Sequence, residues 1–341
     1  MTAVLVDWLG RGGIAHCTEA LAITLEEKGR DAVVVTRPGR ELRSTAEWEP
    51  QSRVPLGRLG RHVDVVRAAV RAVRAVQPSV VVLANFVVPA LEHRVVAAAH
   101  ACGARVIVVV HDGKLHSRLA GTHLGLGRLL RSADQIVVHS RFVQGQLADR
   151  VGGRTPIEVV PLPVQVGLLR HEQVVPDLDI TGRVAVHFGV LRRAYKGSNV
   201  VIDLAARGVD GWQFVVAGVG AQRAPGVTTL EGFLDPGVLT GLVERSDAAL
   251  LPYTYATQSG AIVLAQALGA VPIASAVGGL VEQVDDGRTG VLVEAGAGSD
   301  AWAAAMRRLE DEGERQHIAS SAKQQAWRHH EEFVSWATTL P

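Results

Sequence analysis

Two α/β halves, each a doubly wound parallel sheet, are what this 341-residue chain encodes, and three features say so. The length exceeds what one ordinary hydrophobic core organises and favours two domains. The residues are 48% hydrophobic but only 4% aromatic. A core built from Val, Ala, Leu and Ile suits parallel strands covered by helices on both faces. Strand and helix signals also alternate from end to end, as repeated strand–helix–strand units do.

In the first half, "TAVLV" (2–6) is a short apolar run that ends at the turn "GRGG" (10–13). A helix follows with Ile14, Leu21 and Leu25 on one face and Gly29 as its stop. "DAVVVT" (31–36) is the next strand, and residues 37–60, rich in Arg, Pro and Gly, predict a loop. "VDVVRAAVRAVRAVQ" (63–77) is helical; "SVVVLANF" (79–86), "RVIVVVHD" (105–112) and "DQIVVHS" (134–140) are strands with helical connections. "IEVVPLPVQ" (157–165) closes the half and breaks at Pro161 and Pro163. This places a first domain at 1–165 and a linker at 166–182.

The second half repeats the scheme over 183–320: "RVAVHFGV" (183–190), "WQFVVAGVG" (212–220), "VTTLEGFL" (227–234), "AALLPY" (248–253), "VPIAS" (271–275) and "GVLVE" (290–294). A last helix, 321–341, carries Trp327, Phe333 and Trp336 and is expected to pack back toward the first domain. Two facing halves leave a cleft, and ligands of such sheets bind beyond the carboxyl ends of the strands.

Several classes drop out. A net charge of +1 supplies no field for nucleic acid. "MTAVLVDWLG" runs straight into a strand without a charged leader, and no apolar run reaches the ~20 residues of a membrane-spanning helix. Cys17 and Cys102 suit small buried thiols better than a bridge. A soluble, cytoplasmic chain is the expectation. Phosphate-loop, zinc and nucleophile-elbow motifs are missing, and "DLD" (177–179) reads as a solvated turn, so neither metal nor cofactor is expected. Arg67, Arg71 and Arg74 form a polar stripe on their helix, below Arg53, Arg58 and Arg61. Such a stripe suits either an anionic membrane surface or the solvated face of a soluble domain, and the lack of aromatic anchors favours the second.

Four constellations carry chemistry. In "GRGGIAH", Gly12 and Gly13 let the backbone approach a ligand at a helix start, although a tight turn explains them equally; His16 follows, toward cleft or solvent. In "HFGVLRRAYKGSNVVIDLA", Gly189 ends a strand, and Arg192, Arg193 and Lys196 surround a helix start near Ser198. A diphosphate gains there from both fixed charge and backbone N–H groups. Lysine is otherwise confined to Lys28, Lys114 and Lys323, so a compact charge at 196 stands out. In "VVVHDGKLH", His111 and Asp112 lie at a strand's carboxyl end, with His116 on the following loop. A histidine there bonds a ligand or relays a proton with Asp112 orienting it, or the pair is structural. In "ASAVGGLVEQVDDG", Gly278 and Gly279 open a turn into a helix that bears Glu282, a further anion-accepting end.

In this order the segments resemble a GT-B glycosyltransferase of the family 4, or group 1, kind, over nearly the whole chain. The resemblance implies a nucleotide-sugar donor held mainly by the second domain and an acceptor held mainly by the first, where His16 and His116 are candidates. It also implies retention of configuration without a metal, the departing diphosphate helping to deprotonate the acceptor. The family's diphosphate-binding Arg and Lys map to Arg192 (or Arg193) and Lys196, on a loop one residue longer here. Its glycine pair maps to Gly12 and Gly13, its strand-end histidine to His111, and its later glycines and glutamate to Gly278, Gly279 and Glu282. One departure is plain. The family's two glutamates, eight positions apart, fall on Thr257 and Ala265 or, one residue on, Gln258 and Gln266. No carboxylate stands between Asp247 and Glu282. The stretch Thr257, Gln258, Ser259 and Gly260 offers neutral groups that donate as well as accept. The implied function is transfer of a sugar from an atypical donor, deoxygenated or itself anionic. The alternative is a GT-B homologue that binds but has lost turnover. No carboxylate constellation supports an epimerase.

Overall fold

The computed structural model describes residues 2–10, 12–37, 47–48, 57–113, 125–179 and 181–341. They form two compact units, Met1–Leu162 with Glu331–Pro341, and Pro163–His330.

The first unit runs β1 (Thr2–Asp7), α1 (Gly12–Glu27), β2 (Asp31–Thr36), β3 (Glu47–Trp48), α2 (Gly57–Val76), β4 (Val80–Leu83) and α3 (Pro89–Ala101). It continues with β5 (Arg105–Val110), α4 (Leu126–Ser132), β6 (Gln135–Val138), α5 (Arg141–Val151) and β7 (Ile157–Val159). The strands make one parallel sheet in the order β3-β2-β1-β4-β5-β6-β7. Strand order reverses beside β1, and the carboxyl ends of such a switch point are where ligands of open sheets bind. All four residues of β4 are buried, as a strand covered on both faces requires. Two local expectations change. The segment 37–60 contributes β3, too short to show alternation, and α2 begins at Gly57, ahead of its apolar period. The strand at 157 ends at Val159, because Pro161 and Pro163 have no N–H for a ladder.

The second unit begins with α6 (Val166–Leu169), then β8 (Arg183–Phe188), α7 (Ser198–Arg207), β9 (Trp212–Gly218), β10 (Val227–Glu231), α8 (Pro236–Arg245) and β11 (Ala248–Leu251). It ends with α9 (Gly260–Leu268), β12 (Val271–Ser275), β13 (Val291–Val293), α10 (Ser299–Arg307) and α11 (Glu312–Thr338). Its parallel order is β10-β9-β8-β11-β12-β13, with the reversal beside β8. The segment 166–182 is no bare tether. Leu168 is buried with Val184 and Leu242. Val174 N–H donates to Gly237 O at 3.0 Å. A Cβ on Gly237 would stand 2.1 Å from Glu172 O, so glycine lets this strip lie against α8.

Helix α11 starts earlier than its apolar residues suggest, because Asp311 accepts from Glu314 N at 2.8 Å and caps it. From Glu331 onward it belongs to the first unit. There Phe333 and Trp336 are buried, line a small cavity with Cys17 and Leu21, and Arg30 donates to Leu340 O at 2.6 Å. Trp327, expected to pack as they do, is 36% exposed. Among the described residues no helix is long and apolar enough to cross a membrane.

Candidate functional site

The residues predicted to hold a diphosphate lie at the carboxyl edge of the second sheet. Beyond β8, Gly189 (φ +118°) turns the chain back over the end of β9. Leu191 N–H and Arg192 N–H both donate to Val219 O, at 2.8 and 3.1 Å. A Cβ on Gly218 would stand 2.0 Å from Gly189 O, so the two loops touch because residue 218 is glycine. Leu191 anchors this loop in the core while Arg192 and Arg193 are exposed. A single 3-10 turn, Ala194–Lys196, follows and ends at Gly197 (φ +67°), where a Cβ would lie 1.8 Å from Pro252 O. Thr254 N–H donates to Tyr195 O at 2.8 Å, which fixes the loop after β8 to the loop after β11.

Lys196 is held between two aromatic rings. Its Nζ lies 3.8 Å from the centroid of Tyr253, itself buried, and 5.5 Å from that of Tyr195. Among the described residues it makes no ion pair, so the aromatic faces position a charge that stays available to an anion. Beneath it, His187 Nδ1 lies 2.8 Å from Leu250 O and Nε2 lies 3.0 Å from Ser198 Oγ. A carbonyl only accepts, so Nδ1 carries the proton and Nε2 of the neutral ring accepts from the Ser198 hydroxyl. Burial pushes the His187 pKa down to about 4, and the Lys196 charge pushes the same way. This buried histidine seats the first residue of α7 directly after the lysine loop.

The carboxylate-free stretch proves to be a braced loop. Ser259 caps α9, its Oγ accepting from Ile262 N at 3.4 Å. Gln283 clamps the same residue from both sides, accepting from Ser259 N at 2.7 Å and donating to Ser259 O at 3.2 Å. Gln266 supports Gln283 in turn, donating to its carbonyl at 2.9 Å and to Thr289 O at 3.4 Å. Gln266 is 1% exposed and Ala265 fully buried, so neither register puts a solvent-facing group at the family's second glutamate position. Of the four residues nearest the first position, Thr257 and Ser259 are buried and Gln258 and Gly260 partly exposed. A Cβ on Gly260 would meet Gln165 Nε2 at 2.4 Å.

Gly278, Gly279 and Glu282 correct one expectation. They form a 3-10 turn of five residues, too short to present a helix dipole, and Gly279 N–H is spent on Ala256 O at 3.2 Å. What the pair does is brace the loop before Ser259, while Glu282 is exposed. Phe233 joins the same edge beyond β10. It is 72% exposed, and the preceding Gly232 N–H bonds Gly218 O at 3.2 Å. Neither Phe233 nor the Gln283 clamp had a motif to betray it.

In the first unit, Gly12 (φ +66°) opens α1, and nothing lies within 4 Å of a Cβ built on it or on Gly13. The turn before them hangs on Asp7, whose Oδ1 accepts from Leu9 N, Gly10 N and Asn85 Nδ2 at 2.9, 3.0 and 2.7 Å. Burial raises the Asp7 pKa, and the two backbone N–H groups and the Asn85 amide oppose that rise. His16 Nδ1 lies 3.7 Å from Glu19 Oε2. His111 Nε2 donates to Ala84 O at 2.8 Å, and its ring packs 5.1 Å from that of His139. Burial first, then the neighbouring imidazole, lowers its pKa to about 3, so the ring is neutral. His139 donates through Nδ1 to Val160 O at 2.8 Å and faces Cys17 Sγ at 3.8 Å; burial pushes that thiol up to about 12. A thiol raised in this way carries little thiolate, the form that reacts. Asp112 follows His111 at the end of the strand, and His116 lies outside the described residues. Thus Gly12, Gly13, His16, His111 and Asp112 follow the carboxyl ends of β1 and β5.

Residues 12–163 match the glycosyl transferase 4-like domain model, and residues 182–312 match the model of glycosyl transferases group 1. The chain belongs to the group 1, GT-B glycosyltransferases. It is 31% identical over 254 residues to a D-inositol 3-phosphate glycosyltransferase of Salinispora tropica, covering 64% of this chain and 51% of that one. It is 27% identical over 238 residues to a glycogen synthase of Mycobacterium tuberculosis, covering 62% and 57%. The matches therefore span about half the length of these relatives. In fold the chain resembles HepE of Anabaena, solved with UDP and glucose, at a TM-score of 0.75 and 19% identity over 100% of this chain and 99% of that one.

Proposed function

We propose that this protein transfers a sugar from a nucleotide-sugar donor to an acceptor, without a metal and with retention of configuration. The observation that carries the reading is Lys196, a cation with no counter-ion among the described residues, held on Tyr253 beside exposed Arg192 and Arg193. Charge develops on the departing diphosphate as the glycosidic bond breaks. Fixed cations there stabilise the transition state more than the ground state. Phe233 is the exposed aromatic at the same edge and offers a face for the nucleotide base. The UDP-bound HepE supports a nucleotide donor for this chain, and the glycosyltransferase among the relatives supports sugar transfer.

The braced, carboxylate-free loop sets the donor sugar. The amide of Gln258, the partly exposed side chain of this stretch, tolerates a missing hydroxyl or an anionic substituent that a fixed glutamate would leave unpaired or repel. His111 contributes as a neutral ring, since its lowered pKa removes the imidazolium at working pH. A second reading, a binding homologue without turnover, rests on the same missing carboxylates. Titration of a nucleotide-sugar panel, followed by single-turnover assays with the best donor, tests both. Transfer to an acceptor supports the enzyme; tight binding without any glycosidic cleavage supports the alternative.

A further inference from the structure

The helical layer of the first unit contains a furrow of about 510 Å³ between α2 and α3, lined by none of the candidate groups. Four arginines rim it: Arg67, Arg71 and Arg74 from α2 and Arg94 from α3. All four are exposed, and among the described residues none makes an ion pair. Among the described residues no carboxylate lines the furrow. Asp64 of α2 is buried, and Glu92 of α3 is buried against His62, with 3.1 Å between Nε2 and Oε1. The rim charge therefore has nothing on its own helices to neutralise it.

The floor is apolar and concave. Val66, Val70 and Leu91 form it, and Ala97, Ala98 and Ala101 keep the α3 wall low. Among the described side chains of α2 and α3, no large apolar group stands exposed. A face that enters a bilayer needs protruding apolar or aromatic anchors, and this one recedes instead. A recess between two helices takes the ridge of a third, read as apolar side chains at i, i+3, i+4 and i+7. The cationic rim adds a requirement, because each guanidinium pairs bidentately with a carboxylate flanking that ridge.

We propose that the α2–α3 furrow docks an acidic amphipathic helix of a partner protein. The docking is independent of the donor reading, since none of its residues belongs to the candidate site.

The probe is a fluorescent designed helix of roughly 18 residues, with leucines along one stripe and glutamates on both flanks, beside a counterpart with lysines on the flanks. Anisotropy against the intact protein should show binding of the glutamate helix only, weakened by added salt. Two variants separate shape from charge. Arg67→Glu with Arg94→Glu reverses the rim, and Ala97→Trp fills the furrow at an exposed position while keeping every arginine. Both should weaken binding about tenfold or more, with unchanged melting curves as the check on folding. No binding of the glutamate helix, or loss in the charge variant alone, overturns the proposal. So does co-sedimentation of the wild type and Ala97→Trp alike with phosphatidylcholine vesicles carrying ~30% phosphatidylglycerol, since that marks a membrane-adsorbing face.

Discussion

Replacing Gln266 by glutamate restores a carboxylate to one of the two registers in which the family's motif can be read, and the structure says that the protein should suffer for it. The Gln266 amide is 1% exposed and donates to the carbonyls of Gln283 and Thr289. A carboxylate there presents acceptors to acceptors. Leaving buried carbonyls without donors costs about 1–3 kcal/mol, which is the expectation for Gln266→Leu. A buried, uncompensated charge raises the loss in Gln266→Glu to about 3–5 kcal/mol. At about 2–4 °C per kcal/mol for a unit of this size, the glutamate variant should melt roughly 6–20 °C below the wild type. Because Gln283 clamps Ser259, both variants should also loosen the loop proposed to set the donor sugar. Differential scanning calorimetry reads the first effect and donor titration the second. A glutamate variant that melts with the wild type and binds UDP-glucose more tightly would refute the reasoning, because position 266 would then face ligand.

Other expectations are quickly stated. Gly197→Ala combines a left-handed φ with a Cβ 1.8 Å from Pro252 O, so it should cost about 1–3 kcal/mol or more and displace Lys196; Gly189→Ala, with nothing near its Cβ, should cost less. Phe233→Ala should leave urea stability within about 0.5 kcal/mol yet weaken nucleotide binding several-fold, and equal affinity would remove Phe233 from the base site. His187 and His139 are held neutral with pKa values near 4, below the ordinary 6.5. The unfolded chain therefore binds more protons than the folded one between those values, and stability falls as pH drops from 6.5 toward 4. Each histidine contributes up to about 1.4 kcal/mol per pH unit. The unfolding free energy from urea melts should fall accordingly across that range, and a pH slope unchanged in His187→Gln would contradict its assignment. Raised Asp7 acts with the opposite sign, so the variant comparison is what isolates the histidine.

Much of the fold was legible because parallel strands buried on both faces leave continuous Val-rich runs, such as 80–83 and 106–110. The basic loop was legible too, since Gly189, the arginines and Lys196 fall between a strand and a helix. What escaped reading is what depends on side-chain direction. The sequence cannot tell a glutamine that meets a sugar from Gln266, which turns inward to two carbonyls. The Gly278–Gly279 pair looks like a helix start, yet it opens a 3-10 turn of five residues whose Gly279 N–H goes to Ala256 O. His187 reads as one more residue of an apolar strand, and only its bonds to Leu250 and Ser198 show that it seats α7.

The measurement that bears most directly on all this is calorimetric titration of UDP into the wild type and into Lys196→Ala. Removing a charge-assisted phosphate contact should cost about 1.5–3 kcal/mol of binding, or roughly 10- to 150-fold in Kd. Folding should lose only about 0.5–1 kcal/mol from the vacated Tyr253 face. Equal affinity in the two proteins, both folded, would place the diphosphate somewhere other than the Arg192–Lys196 loop and contradict the account.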